Sequence, residues 1–503
     1  MQSLKIRKIL PYLLPLIILI LFFGPLNRTP EVPENPITII DFTIHHTRRF
    51  FLLEIVVLFF LFMAACALAC YYSGKSPRIL LQSARLKTGR LSFNQKAIAG
   101  IFAAASGLTL LGMLLGDRGV FLSTFWADRY DAFMDLYNPM YSMQNGSIPL
   151  HDFYNENTGG YPPLARFILW AIGNALPRNL IEAGAKECRI QSVMLFVLIV
   201  IGLLMAIFAI ISVMKCRHKW LIYLCIVFSA PMVYAIERGN LLLIAFVLAL
   251  FFTAEFESES KLKRDAAYLA LALSAGIKVY PAVYGFLLVS KRKWKEAFQL
   301  ACVGLSVFLF PFLFTGGFGS FVKFIQNLGS FVTGANNSYD PYWLINYRNV
   351  LNGISTRLNI PSFPASAVHA SLLMLVALLI ASALISDRYW KQSLALTLVL
   401  ILFPGANVYY SAIFYCIPLL LAFRDEEKDR SILSRLLVVC LALSLAPLQF
   451  LCGTYGFTQA DTQFFCGLLG LVLAVLLVLD GCICLSRKIK NAHALHQKKP
   501  SVQ

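Results

Sequence analysis

Five apolar runs, residues 9–25, 50–72, 97–116, 190–214 and 464–485, constrain this chain of 503 residues more than any other feature. Each approaches or exceeds the roughly 20 residues that a helix needs to cross a bilayer. Composition agrees: 58% of residues are hydrophobic and 14% charged, against about 25% charged in a soluble domain. The N-terminus opens with Lys5, Arg7 and Lys8 ahead of its apolar run, as a secretory signal would. No small-residue cleavage pattern follows, so an uncleaved first span is expected.

A formal net charge of +18 raises nucleic-acid binding as a function, and the distribution of that charge argues against it. Basic residues cluster between apolar runs, at 75–96, 215–217, 291–295, 424–435 and 487–488. Placing such segments and both termini in the cytoplasm puts 30 of the 44 Lys and Arg residues inside, although the outer loops are longer. That is the positive-inside bias of a multi-span protein. The twelve cysteines are scattered, several within apolar runs (Cys66, Cys70, Cys225, Cys302, Cys440, Cys466). They show neither a loop CxxC pair nor metal-ligand spacing, and are expected as small core filler. Cys188 and Cys452, expected outside, are too few for a disulfide framework.

Charge places residues 26–49, 117–189 and 315–365 outside. The organisation read from this is one multi-span domain over 1–486, with 117–189 and 315–365 as outer loops. A basic, irregular cytoplasmic tail follows at 487–503. Residues 164–176 are apolar but too short to cross, and are expected as a helix at the interface. Two shorter spans, 220–236 and 241–254, meet at an outer turn, Glu237-Arg-Gly-Asn240. Segment 266–290 has charge clusters of the cytoplasmic kind on both sides, with Lys278 and Pro281 near its middle. Two half-length helices meeting at a Lys-Val-Tyr-Pro break fit it best, since non-helical backbone at depth is tolerated where it lines a cavity. Five more spans close the chain, and no internal repeat is visible.

Four polar clusters fall on one side of the membrane by charge alone: Asp128 to Asp135, Glu237 to Asn240, Lys278 at its break, and Tyr339 to Arg348. Ionisable residues at or within a bilayer are costly and point to function. Carboxylates and cations on one face suit a reaction in which a hydroxyl loses its proton as a phosphate departs. The base must be an acceptor beside the attacking oxygen, and the phosphate needs Lys or Arg aimed at its growing charge. Plainer readings compete. Asp128 beside Arg129 fits a solvated ion pair. Tyr161-Pro162-Pro163 fits a turn into the interfacial helix, and Tyr342, Trp343 and Tyr347 fit an interfacial aromatic belt. His45, His46 and His151 lack spaced carboxylate partners, so no metal site is expected. Three Asn-x-Ser/Thr sequons, at Asn27, Asn145 and Asn336, matter only in a secretory-pathway host.

The run Met134-Asp135-Leu-Tyr-Asn, the spacing from Asn145-Gly to Tyr161-Pro-Pro-Leu, and Glu237-Arg-Gly-Asn240 form an ordered set. Ile277-Lys-Val-Tyr-Pro281 ahead of Lys291-Arg-Lys-Trp, and Pro404 to Tyr410 before a span, complete it. The set resembles glycosyltransferase family 87, membrane enzymes of the GT-C type that use polyprenyl-phosphate sugars. The resemblance runs from about Asp131 to Leu421. It implies an all-α polytopic protein of thirteen or fourteen membrane segments, with a general base at Asp135 or, a turn away, Asp131. It further implies Lys278, Arg238 and Arg348 as donor-phosphate ligands, and substrate contacts from Tyr161, Asn240, Tyr342, Trp343 and Tyr410. The chain departs from the pattern in placing two spans, 50–72 and 97–116, between its first helix and the aspartate loop.

The expected function is transfer of a hexose, mannose by the family's example, from a polyprenyl-phosphate donor to a lipid-linked or cell-envelope glycan, with inversion. The active site is expected on the outer face of a bacterial inner membrane. Membrane lipid, donor and acceptor are the expected partners, without nucleic acid. No cofactor is called for, and a divalent metal stays open. A transporter or lipid flippase is one alternative, but would show repeat symmetry between halves. A non-catalytic subunit of a glycan-assembly complex is another, and would tolerate loss of both aspartates. A glycan polymerase or ligase would place Arg and His in its outer loops.

Overall fold

The computed structural model describes residues 91–115, 133, 135–136, 139, 161–174, 185–338, 344–405, 407–425, 431–447 and 459–497. The runs 9–25 and 50–72 lie outside the described residues. Within the described residues the chain is helical, with one β contact, an isolated antiparallel bridge between Leu344 and Val408. Among the described residues four helices are long and apolar enough to cross a membrane, and a bent pair would make a fifth. The protein is an all-α, multi-pass membrane protein.

The helices are α1 (Phe93–Leu115), α2 (Pro163–Asn174), α3 (Ala185–Val213), α4 (Lys219–Val227), α5 (Ala230–Glu237), α6 (Leu242–Glu255) and α7 (Lys261–Ile277). A 3-10 turn, Tyr280–Gly285, leads into the short α8 (Phe286–Ser290). Then come α9 (Trp294–Leu309), α10 (Gly317–Ser338), α11 (Tyr347–Leu358), α12 (Ala365–Ile385) and α13 (Tyr389–Leu402). A second 3-10 turn, Tyr409–Tyr415, precedes α14 (Cys416–Arg424), α15 (Ile432–Leu445) and α16 (Gln459–Gln497).

Prolines set two of the breaks. A proline ring lacks the N–H for the carbonyl four residues back and collides with it. Pro231 therefore stops α4 at Val227, and α5 departs at 49° to it. Pro281 stops α7 at Ile277 in the same way, leaving Lys278 extended (φ −140°, ψ 122°). Both Lys291 and Lys293 then reach Glu257, just before α7, at 3.5 and 3.8 Å. The stretch from α7 through α8 is thus a hairpin that returns to the end it started from, with Lys278 at its tip. That is the broken, same-side segment expected for 266–290.

Further ion pairs gather at the same end of the molecule. Arg388 pairs with Asp425, Lys391 with Asp480 and Lys488 with Asp387. Tyr389 donates its hydroxyl to the Thr253 carbonyl there. Gln95 and Asn94 of α1 donate to the Phe423 and Ala422 carbonyls at this basic pole, while Thr109, near the other end of α1, reaches Pro447. Helix α1 therefore runs from the basic pole to the opposite one.

The core lies where α3 to α7 and α13 to α16 pack together, and includes fully buried Tyr223, Phe246, Tyr284 and Phe414. Helix α9 packs at its edge through Leu300, with Trp294, Phe298 and Leu305 exposed, as suits a lipid-facing span. Two expectations change. The region 315–365 is built largely of α10 and α11. Helix α16 runs unbroken through Arg487 to Gln497, where an irregular tail was expected; Lys488 anchors it to Asp387 and the Ile385 carbonyl.

Candidate active site

The site is built on the turn that ends α5. Gly239 adopts φ +66°, its N–H reaching the Ile236 carbonyl and the N–H of Asn240 that of Ala235. This pair of bonds is a Schellman cap, which calls for glycine at the left-handed position. The turn also leaves its carbonyls facing outward. The N–H of Phe133 donates to the Glu237 carbonyl at 2.8 Å, and that of Asp135 to the Arg238 carbonyl at 3.1 Å. The aspartate segment is thereby laid along the cap.

Side chains complete the clamp. An Arg238 terminal nitrogen donates to Asp135 Oδ1, and Asn240 Nδ2 to Oδ2, each at 2.6 Å. Asn240 is fully buried, and its Oδ1 accepts the Leu242 N–H at 2.8 Å, which fixes the amide with its NH2 towards the carboxylate. Both carboxylate oxygens are held, yet each has a second lone pair. With 15% of its side chain exposed, Asp135 stays reachable.

Across from Asp135 stands the hairpin tip. Lys278 Nζ lies 4.6 Å from the centre of the Tyr161 ring, a cation–π distance. Helix α2 brings Tyr161 there by close approach at Gly276, where a Cβ would meet Leu164 Cδ2 at 2.9 Å and Val307 Cγ1 at 3.0 Å. At 12 residues α2 is too short to cross, as expected of the run 164–176. Burial first, then the Asp135 carboxylate, lifts the Tyr161 phenol far above its usual range, so Tyr161 stays protonated.

The fourth wall is the turn Tyr409–Tyr415. Tyr410 stacks on Tyr234 of α5 with centroids 6.1 Å apart, and lies within electrostatic range of Asp135, Tyr161 and Arg238. Just before it, Asn407 accepts the Ile345 N–H and donates to the Leu400 and Ile401 carbonyls, while Asn346 donates to Gly405. These bonds tie the start of α11 to the site.

Of the residues singled out in the sequence, Asp135, Arg238, Asn240, Lys278, Tyr161 and Tyr410 converge here. Arg348 lies exposed on the first turn of α11, and no contact described links it to that group. Asp131, Tyr342 and Trp343 lie outside the described residues. Sequence reading passed over Arg166, which is 3% exposed on the first turn of α2. An arginine inside the apolar run 164–176 was the available signal. Among the described residues no group of three or more His, Cys, Asp or Glu side chains is placed to hold a metal ion.

The sequence model of glycosyltransferase family 87 matches residues 161–411. The chain belongs to that family. It is a membrane glycosyltransferase, acting on lipid and glycan substrates. The match opens at Tyr161 and closes at Ser411, spanning every converging residue except Asp135. Asp135 is joined to the matched stretch by the backbone and side-chain bonds at Glu237 to Asn240. No curated protein and no solved structure matches the chain.

Proposed function

We propose that this glycosyltransferase moves a hexose, mannose by family example, from a polyprenyl-phosphate donor to a lipid-linked or envelope glycan, with Asp135 as general base. The carrying observation is one carboxylate clamped by Arg238 and Asn240 and faced by Lys278, at the pole opposite the basic ion pairs. The positive-inside bias makes the basic pole cytoplasmic, so the site faces outward. Nucleotide sugars are cytoplasmic, and a lipid-borne sugar is the donor that an outward site can reach.

In this reading the acceptor hydroxyl gives its proton to a free lone pair of Asp135 as its oxygen attacks the anomeric carbon. The bond from that carbon to the phosphate oxygen breaks, and polyprenyl phosphate leaves with the bonding electrons. A single displacement inverts the carbon. Lys278 meets the growing phosphate charge. Arg238, named from sequence as a phosphate ligand, orients the base, and Asn240 shares that role rather than touching sugar. Tyr410 and Tyr161 offer faces against which a sugar ring can lie. Arg348 is kept in this reading as a donor-phosphate ligand, and Tyr342 and Trp343 as sugar contacts. Asp131 remains the second candidate for the base. The reading requires no cofactor.

The test is transfer by the purified full chain in lipid nanodiscs, supplied separately with radiolabelled polyprenyl-phosphate mannose, polyprenyl-phosphate glucose and GDP-mannose, plus native lipid extract. Label moving from a polyprenyl donor and not from the nucleotide sugar supports the reading. Label moving from GDP-mannose alone refutes it.

A further inference from the structure

We infer that Tyr280 reads a hydroxyl of the sugar being transferred, donating its phenol proton to that oxygen from the tip of the hairpin. The inference rests on the glycosyltransferase reading above and adds a residue that sets its sugar specificity. The backbone at the tip gives the direction. Lys278 is extended, and side chains on successive residues of extended chain point to opposite faces. Val279 is 47% exposed, while Lys278 and Tyr280 on either side of it are half-buried. Val279 thus turns outward, and Lys278 and Tyr280 turn inward together.

The inward ring of Tyr280 meets the turn Tyr409–Tyr415. It packs edge-on against Phe414, with centroids 6.0 Å apart and planes at 84°. Side chains three apart eclipse in a 3-10 turn, so Ser411 lies on the face of the turn that carries Phe414, and the Tyr280 phenol comes to the Ser411 hydroxyl. Ser411 is 1% exposed, and its hydroxyl bonds no carbonyl of its own turn. The Tyr280 oxygen is therefore the acceptor beside its one proton. A phenol that accepts there still has its own proton to give.

The space it faces is the site already described. Tyr410 precedes Ser411 and stacks on Tyr234, and Tyr161 lies under Lys278. The phenols of Tyr161 and Tyr410 are each within electrostatic range of both Tyr280 and Asp135. Tyr280 thus borders the same space as the cation that meets the phosphate and the carboxylate that meets the acceptor. The donor sugar is joined to that phosphate and attacked from the side of that carboxylate, which brings its ring within reach of the phenol. The two tyrosines divide the work. Tyr161 offers its ring to Lys278, whereas Tyr280 rests its ring on Phe414 and keeps its hydroxyl for substrate. A site built to bond a substrate hydroxyl penalises the analogue that lacks it, because its own polar group is then left unpaired.

The test is kcat/KM for transfer by the full-length protein in nanodiscs. The donors are polyprenyl-phosphate mannose and polyprenyl-phosphate glucose, each beside its four monodeoxy analogues. Wild type should lose roughly ten- to a hundredfold on one analogue through this contact. In Tyr280→Phe, which keeps the ring against Phe414, the parent sugar should drop by a similar factor, and that analogue should drop no further. Ser411→Ala should narrow the same discrimination partway. A Tyr280→Phe protein that discriminates among all the analogues as wild type does overturns the inference, while leaving the glycosyltransferase reading intact. Failure of Tyr280→Phe to fold assigns the phenol to the fold, and equally overturns it. A wild type that transfers from neither polyprenyl donor removes the polyprenyl-phosphate reading, and the inference with it.

Discussion

Replacing Gly239 with alanine should slow transfer while leaving a folded protein. The substitution acts twice. A left-handed backbone costs a residue with a Cβ about 1–2 kcal/mol. The new Cβ would also stand 3.1 Å from Leu136 Cβ and 3.3 Å from Phe133 Cα, where carbon atoms prefer roughly 3.5–4.0 Å. The aspartate segment must yield by roughly 0.3–0.5 Å. Because Asp135 is held by two bonds of 2.6 Å to the same turn, those bonds lengthen to about 3 Å and survive in weaker form. If a displacement of 1 Å costs about a hundredfold in rate, this shift costs about four- to tenfold in kcat. Gly239→Asn separates the two causes. Asparagine tolerates the left-handed region but brings the same Cβ, so it should recover stability and not rate. The assay is initial transfer velocity in nanodiscs beside thermal unfolding of each variant. Wild-type kcat in Gly239→Ala, with unfolding shifted as the strain requires, would show that the turn does not position the base.

Other consequences are as direct. Tyr161→Phe keeps the ring under Lys278 and should transfer near the wild-type rate with an unchanged pH profile, since the phenol stays protonated. Tyr161→Ala forfeits about 0.5–2 kcal/mol of cation–π attraction and should raise the donor KM several-fold. Gly276→Val drives a side chain into Leu164 and Val307, so α2 must move, and transfer should drop more than tenfold in a protein that still inserts. Lys391→Met strands Asp480 and should cost about 3–5 kcal/mol of stability, whereas Lys391→Met with Asp480→Leu should recover most of it and transfer normally. Comparative thermal unfolding and transfer assays read all four.

Much of this arrangement could be read in the sequence, because membrane proteins write their constraints in one dimension. The break at Lys278 follows from Pro281 four residues beyond Ile277. The turn at Glu237 to Asn240 follows from glycine between two apolar runs, and the basic pole from charge clusters at run ends. The pairing of Arg238 with Asp135 was not legible, because 103 residues separate them and only the Schellman cap brings them together. Arg238 was therefore read as a phosphate ligand without sight of its bond to the Asp135 carboxylate. Arg166 went unnoticed because a lone cation in a short apolar run also fits a helix lying at the interface. The continuation of α16 past Arg487 was missed because helicity there depends on Lys488 finding Asp387 on another helix. Helices α10 and α11 were hidden by their polar content. α11 owes its start to Asn346, which caps it by accepting the Asn349 N–H at 2.9 Å, and its place to Gly353 and Gly467, which admit Phe464 and Val350.

The central claim is that Asp135 takes the acceptor proton. Its most direct test is transfer from radiolabelled polyprenyl-phosphate mannose by Asp135→Asn, an isosteric change that retains one acceptor for Arg238. The account predicts that transfer falls at least a thousandfold, about the contribution of a positioned base, while farnesyl phosphate still binds. Wild-type transfer by Asp135→Asn, with activity lost instead in Asp131→Asn, would move the base to Asp131 and contradict the assignment drawn from the clamp at Arg238 and Asn240.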